Sequence, residues 1–304
     1  MVRMAPILLA LFPLVALIAT GYIFKTYQFL SPDFWAGAER LNYYILFPAL
    51  LFYTLATAQI ALQSLKAVLL SMLIVLTIAT GVLYIIRYVK PILPARFGVH
   101  IQAIVRFNTY IGLALVTALF QQEGLAILAV LLAVSVPIVN IVSVLSLTPS
   151  THMSLRPILL SLLKNPLIMS CLMGAVVNVL NIPIWAGLLN LLKLFSASSL
   201  PLGLLCVGAA LQFMEMKKDI PALFLDTFMR LLIMPVLALG VCRWLQLPLL
   251  HTQILVIFFA LPTASAAYIL TKVLKGDSQL MAAVNSLQTV CAAVTLPLII
   301  AWLI

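Results

Sequence analysis

The sequence predicts an all-α polytopic membrane protein: ten transmembrane helices in two inverted five-helix repeats. Three observations carry the prediction. Apolar residues fill 65% of the 304 positions and charged residues 8%, where soluble domains run at roughly 45–50% and 25%. The apolar residues fall into ten runs, each close to the roughly 20 residues that a hydrocarbon core of about 30 Å requires. The two sets of five runs also repeat one another's landmarks.

The first set lies near 5–25, 38–57, 66–88, 98–120 and 124–147. The second lies near 158–180, 196–213, 222–245, 252–274 and 278–302. Arg3 ahead of the first run imitates a signal peptide, but the run ends in GYIFK with no small-x-small cleavage site, so it is expected to stay as a span. Between the sets stands only the polar stretch TPSTHMSLR at 148–156. The units are therefore 1–148 and 158–304, joined by a short cytoplasmic linker at 149–157. PILLALF from Pro6 is echoed by PILLSLL from Pro157. Trp35-Ala36-Gly37 leads toward Pro48 as Trp185-Ala186-Gly187 leads toward Pro201. Glu123 and Asp277 each stand where a fourth span gives way to a fifth. An odd number of spans per unit forces the second unit to enter from the opposite face, an arrangement that puts binding sites at the midplane between units.

A formal charge of +10 would suit nucleic acid, but in a chain this apolar it reads as the excess of basic residues on the cytoplasmic side. Lys25, Arg40, Arg87, Lys90, Arg96, Arg156, Lys164, Lys217, Lys218, Lys272 and Lys275 fall on one side of the predicted topology; Arg3, Lys66 and Arg243 fall on the other. Both termini are thus expected outside the cytoplasm, in a multi-pass protein of the plasma (inner) membrane. The four cysteines form no CxxC and the three histidines no ligand pair, so neither disulfide framework nor metal site is expected.

Polar residues in mid-span mark the candidate site. Asn108 lies about ten residues into the fourth run, roughly 15 Å deep at 1.5 Å per residue. Pro262 and Thr263 reach the same depth in the ninth run from the other side. Proline lacks an N–H and disrupts the helix before it, and Gly112 lets backbones approach in the fourth run. Two helices broken at one depth expose N–H groups that suit a carboxylate, and broken backbone is tolerated in a membrane only where it is buried or lines a cavity. Arg106 either pairs with an anion or snorkels to the headgroups. Asn108 is too short to snorkel and needs a partner inside the protein. Asn140, Asn285 and Gln288 add mid-span polarity, either to a cavity or to helix–helix bonds. Asp226 and Arg230, spaced i and i+4, read as a local ion pair. No carboxylate is expected at mid-depth. HExxH, GxSxG and paired mid-span aspartates are absent, which disfavours an intramembrane enzyme.

LNYYILFPALLF (41–52), RFNTYIGLAL (106–115), LKNPLIMSCLMGAVVNVLNIPI (163–184), ASSLPLGLLCVGAAL (197–211), RLLIMPVLAL (230–239) and ALPTASAAYIL (260–270) together resemble the auxin efflux carrier family, whose bacterial members include malonate- and malate-type permeases. The resemblance runs over nearly the whole chain. It implies spans four and nine unwound and crossing at a substrate site, with carriage of a small organic anion. By motif, Asn108 matches the family's crossover asparagine and Pro262 its ninth-span proline. Ala114 and Ala267 stand where relatives often carry proline, and Tyr110 stands where small residues are common. The expected site is Asn108, Thr109, Gly112, Pro262, Thr263, Ser265 and Arg106, with Pro48, Asn140, Pro201, Asn285 and Gln288 as further lining. The carrier is expected to be surrounded by lipid, with no nucleic-acid partner and a homodimer left open. No cofactor is expected; H+ or Na+ as coupling ion, and uniport, all stay open. A receptor built on the same fold is the rival reading.

Overall fold

The computed structural model describes residues 4–58, 62–148, 165–213 and 219–303. Arg3, the linker 149–157 with Arg156 and Pro157, Lys164, Lys217 and Lys218 lie outside the described residues. Every regular element among the described residues is helical.

Helix α1 runs Met4–Thr26. After a turn, Ser31 accepts from the Phe34 N–H and starts α2, Pro32–Leu41, whose first position is proline. A π-turn at Asn42–Leu46 leads into α3, Phe47–Ala56. Helix α4 is Leu62–Val89, α5 Pro94–Val105 and α6 Thr109–Leu147. In the second half α7 is Pro166–Val179 and α8 Ala186–Ala209. Helix α9, Ile220–Phe228, passes through a second π-turn, Met229–Ile233, into α10, Met234–Trp244. Helices α11, Leu249–Ala260, α12, Ala266–Val273, and α13, Ser278–Leu303, complete the chain.

Both π-turns end just before a proline, Pro48 and Pro235. A proline ring clashes with the carbonyl four residues back and donates no hydrogen bond, and a widened turn absorbs both defects. Within α6, Gln121 has φ 53° and ψ −143°, so the element is two helices, 109–120 and 122–147, joined at a sharp kink. The two-part reading is forced by length. The stretch Pro94–Leu147 has 54 residues, about 80 Å of helix against a core of about 30 Å.

Six stretches among the described residues are long and apolar enough to cross a membrane: Ile7–Thr26, Leu65–Val89, Pro94–Leu147, Ala186–Ala209, Ile220–Trp244 and Ser278–Leu303. Pro166–Val179 and Leu249–Ala260 are shorter apolar helices. The difference from the ten expected runs arises where one stretch contains a turn-back, where the break at Leu261 shortens Leu249–Ala260, and where the sixth run, expected from 158, lies partly outside the described residues. One boundary needs correction. The seventh run, expected from 196, begins ten residues earlier at Ala186, because Lys193, Ser196 and Ser198 are carried on the helix rather than in a loop. The Trp-Ala-Gly echo is also uneven, for Trp35 is buried inside α2 whereas Trp185 is 78% exposed at the start of α8. Trp244 and Trp302 close their helices with exposed rings, as residues at a membrane interface do.

Helices α1, α3, α7 and α8 pack as one group. A side chain at Gly21 would strike the Leu205 carbonyl, and one at Gly208 the Ile18 carbonyl, so α1 and α8 touch backbone to backbone. Asn42 and Ser199, both fully buried, exchange bonds: Asn42 Nδ2 donates to the Ser199 carbonyl at 3.0 Å and Ser199 Oγ to Asn42 Oδ1 at 2.8 Å. Asn178 Nδ2 donates to the Ala56 and Ala58 carbonyls past the end of α3. The remaining helices surround α5 and α11, whose broken ends form the site.

Candidate functional site

Two helices stop in the interior and resume after a short extended segment. Helix α5 ends at Val105, Arg106 is extended (φ −80°, ψ 155°), and α6 starts at Thr109. Helix α11 ends at Ala260, Leu261 is extended (φ −64°, ψ 141°), and α12 starts at Ala266. The segments touch: the Asn108 N–H donates to the Pro262 carbonyl at 2.7 Å. Phe107, next to Asn108 in the chain, meets Phe258 at a tilt with ring centroids 4.3 Å apart. A Cβ at Gly112 would come within 2.6 Å of Leu261 Cδ1, so the glycine is what lets the second segment lie this close.

Breaking a helix strands carbonyls at the first half's end and N–H groups at the second half's start. Several of these groups have named partners among the described residues, while others at the starts of α6 and α12 do not. Arg230, with no exposed surface, donates from Nε to the Leu261 carbonyl (2.6 Å), from Nη1 to Ile104 (2.7 Å) and from Nη2 to Phe258 (3.2 Å). One guanidinium thus serves the carbonyl ends of both α5 and α11, where the helix dipoles are negative. Asn108 Oδ1 accepts from the Ile111 N–H at 3.1 Å and caps α6. Gln288 Oε1 accepts from the Thr263 N–H at 2.9 Å, and its Nε2 donates to the Ala103 carbonyl at 3.1 Å and the Asp226 carbonyl at 3.3 Å. Thr263 Oγ1 donates to the Gln102 carbonyl at 3.1 Å.

Arg106 neither snorkels nor meets a carboxylate. Its Nη1 donates to Gln102 Oε1 at 3.0 Å and its Nη2 to Asn140 Oδ1 at 2.6 Å. Two carboxamide dipoles orient the cation without neutralising it. The Gln102 amide donates in turn to Thr271 Oγ1 at 2.8 Å, which ties α5 to α12.

Asn108, Gly112, Pro262, Thr263 and Gln288 therefore converge on the crossing, with Arg106 and Asn140 joined beside it. Thr109 instead shares a small void with Phe47, Leu51, Leu132 and Leu167. The Ser265 Oγ and Asn285 Oδ1 atoms are buried with no hydrogen-bond partner. Pro48 lies just past the first π-turn and Pro201 is exposed inside the unbroken α8, so neither is at the break.

One expectation is corrected. Asp226 and Arg230 are not an ion pair: the π-turn at 229–233 removes the regular i, i+4 register, and the guanidinium is drawn to the stranded carbonyls. Asp226 binds His100, whose Nδ1 stands 3.0 and 2.9 Å from the two carboxylate oxygens. Asp226 is buried, 2% exposed, and its backbone carbonyl accepts from Gln288 beside the crossing. Arg230, Gln102 and His100 were missed by the sequence reading. Gln102 alone left a usable mark, its i, i+4 spacing from Arg106.

A multi-helix membrane protein with two interrupted helices bonded to one another has the features of a transport protein, and the comparison with known families agrees. Residues 6–300 match the family model described as membrane transport protein, and the chain belongs to that family, the auxin efflux carrier family. It is a membrane transport protein rather than an enzyme. No curated protein matches it.

Proposed function

We propose that the protein is a secondary transporter that carries a small organic anion by alternating access, with the substrate held at the crossing of the two broken helices. The observation that carries this reading is Arg106, a largely buried guanidinium beside the break, oriented by Gln102 and Asn140 and paired with no carboxylate among the described residues. An unneutralised cation in a membrane interior is costly, and an anionic substrate offsets that cost. Asn108, Thr263 and Ser265 supply hydrogen bonds around it, and the N-terminal ends of α6 and α12 supply oriented N–H groups.

The same reading takes the chain as ten spans in two inverted units, 1–148 and 158–304. Packing supports it by its exchange pattern: α1 lies on α8 as α7 lies on α3, and α11 lies on α6 as α5 lies on α12. Non-glycine residues with positive φ recur in matching places, Gln28 with Asn181 and Gln121 with Lys275. The α1–α3–α7–α8 group is the natural scaffold and the group around the crossing the moving part. Basic residues on one set of connections put that side in the cytoplasm and both termini outside, in the plasma membrane.

Counterflow into proteoliposomes tests the reading, with labelled malonate, malate and indole-3-acetate as probes. Wild-type protein is expected to exchange at least one of them. Arg106→Gln keeps hydrogen bonding to Asn140 within reach but loses the charge, and apparent affinity should fall about 10- to 100-fold, the worth of one charged hydrogen bond. Undiminished affinity in that variant removes the anion assignment.

A further inference from the structure

The side chains of His100 and Asp226 bond to one another and to none of the stranded groups of the crossing. Asp226 is almost fully buried in α9, and His100 Nδ1 sits equidistant from both its oxygens. The residues are 126 positions apart, so the fold, not local sequence, assembles them. Each stands one helical turn from the crossover machinery: His100 before Ile104, whose carbonyl Arg230 holds, and Asp226 before Arg230 itself. The pair is not sealed. It forms part of the wall of a cavity of about 390 Å³ otherwise lined by apolar residues such as Ile78, Val82, Phe97, Met229 and Leu237.

We propose that this pair is the proton-binding site that couples a proton gradient to movement of the anion, a proposal that rests on the transport reading above. With Nδ1–H donated to Asp226, the proton arrives on Nε2 of the ring. The pair then passes from a net charge of −1 to an imidazolium–carboxylate of net charge zero. Histidine is the side chain suited to this change near neutral pH. Sodium is the poorer fit, because hard cations want several oxygen ligands and this site offers a ring nitrogen to one carboxylate.

The consequence for the crossing follows from position. While His100 is charged, it holds the carboxylate of Asp226. When the proton leaves, His100 still donates from Nδ1 but the pair carries a net charge of −1, and its field draws on the Arg230 guanidinium that holds the carbonyls of Ile104, Phe258 and Leu261. Loss of the proton thus loosens the clamp on both half-helices. The other charged and titratable groups on the surrounding elements are few. Helix α4 brings Tyr84 and Arg87, both against Phe97; α5 brings Arg106 and Arg96, the latter paired with Asp219. Helix α4 also carries Lys66 and Tyr88, α11 brings His251, the π-turn Arg230, α12 Tyr268 and Lys272, α6 Tyr110 and Glu123, α10 Arg243 and Cys242, and α13 has only Cys291.

The test uses full-length protein in proteoliposomes with the three acids named above. Net uptake is measured with and without an imposed pH gradient, and counterflow without one. Each pH unit sets a limit of about tenfold accumulation per coupled proton. In the wild type the gradient should stimulate uptake several-fold, and in His100→Gln and Asp226→Asn the ratio of driven to undriven uptake should fall to one. Stimulation retained in both variants overturns the proposal, as does a wild type that performs counterflow but ignores the gradient. If no probe gives counterflow, the anion reading fails separately and the proton is read without substrate. Protein carrying 15N-histidine in lipid nanodiscs is titrated across about pH 5 to 8, with His100 assigned by its loss in His100→Gln. The His100 signals should move in one step, and Asp226→Asn should change the pH of that step. Signals fixed across the range, or unmoved by Asp226→Asn, overturn the proposal.

Discussion

Replacing Arg230 with methionine should destabilise the protein by about 3 kcal/mol and abolish transport. Methionine fills much of the same volume but donates nothing, so the carbonyls of Ile104, Phe258 and Leu261 lose their partner together. Orphaned buried polar groups cost about 1–3 kcal/mol each, and in lipid no water replaces the lost donor. Part of this is returned, because the guanidinium no longer has to be kept out of water. Arg230→Lys should recover only part of the loss, since an ammonium carries no planar fork able to span two helix ends. Thermal unfolding in detergent, followed by tryptophan fluorescence, measures the stability; counterflow measures the function. A methionine variant as stable and active as wild type contradicts the role given to Arg230.

The second large effect is expected at Asn108. Its backbone N–H, which bonds Pro262, survives any substitution except proline, while its side chain caps α6 through the Ile111 N–H. Asn108→Ala should therefore cost about 1 kcal/mol of stability, the usual worth of an N-cap, and leave the crossing assembled. On the proposed reading transport should nevertheless fall below detection, because the carboxamide assigned to the anion is gone. Asn108→Asp separates the two roles: aspartate caps as well as asparagine but places a negative charge where the substrate's carboxylate must sit. Normal stability with lost counterflow is the expected result. Full transport by either variant would move the site elsewhere.

The residues that announce the breaks are legible in the sequence because each violates a local rule of its environment. Pro262 cannot continue a helix, and Asn108 is a short amide in lipid with no route to water. Depth arithmetic then places both at the midplane. The partners that hold the breaks were not legible, since they come from elsewhere in the chain. Arg230 reaches carbonyls, and every residue has one, so no pattern of side chains reveals the match. Its spacing from Asp226 even suggested a wrong partner, and only the π-turn ahead of Pro235 explains why that pairing does not form. The histidines show in the sequence only that they form no ligand pair with one another, and nothing there points from His100 to Asp226, 126 positions away. Asn140 and Gln288 were recognised as polar and buried, yet their directions, toward Arg106 and Thr263, needed the packed helices.

The claim on which the account rests is that the broken segments of α5–α6 and α11–α12 meet. It is tested most directly by a cross-link. In a background with Cys171, Cys206, Cys242 and Cys291 changed to alanine, Gly112→Cys and Leu261→Cys are introduced together, and a protease site is placed within residues 149–157. The account predicts that after mild oxidation and cutting the two halves run as one band in denaturing gel and separate only on reduction, because Cβ of residue 112 adjoins the side chain of residue 261. Halves that separate without reduction, in membranes where the protein remains folded, would contradict it.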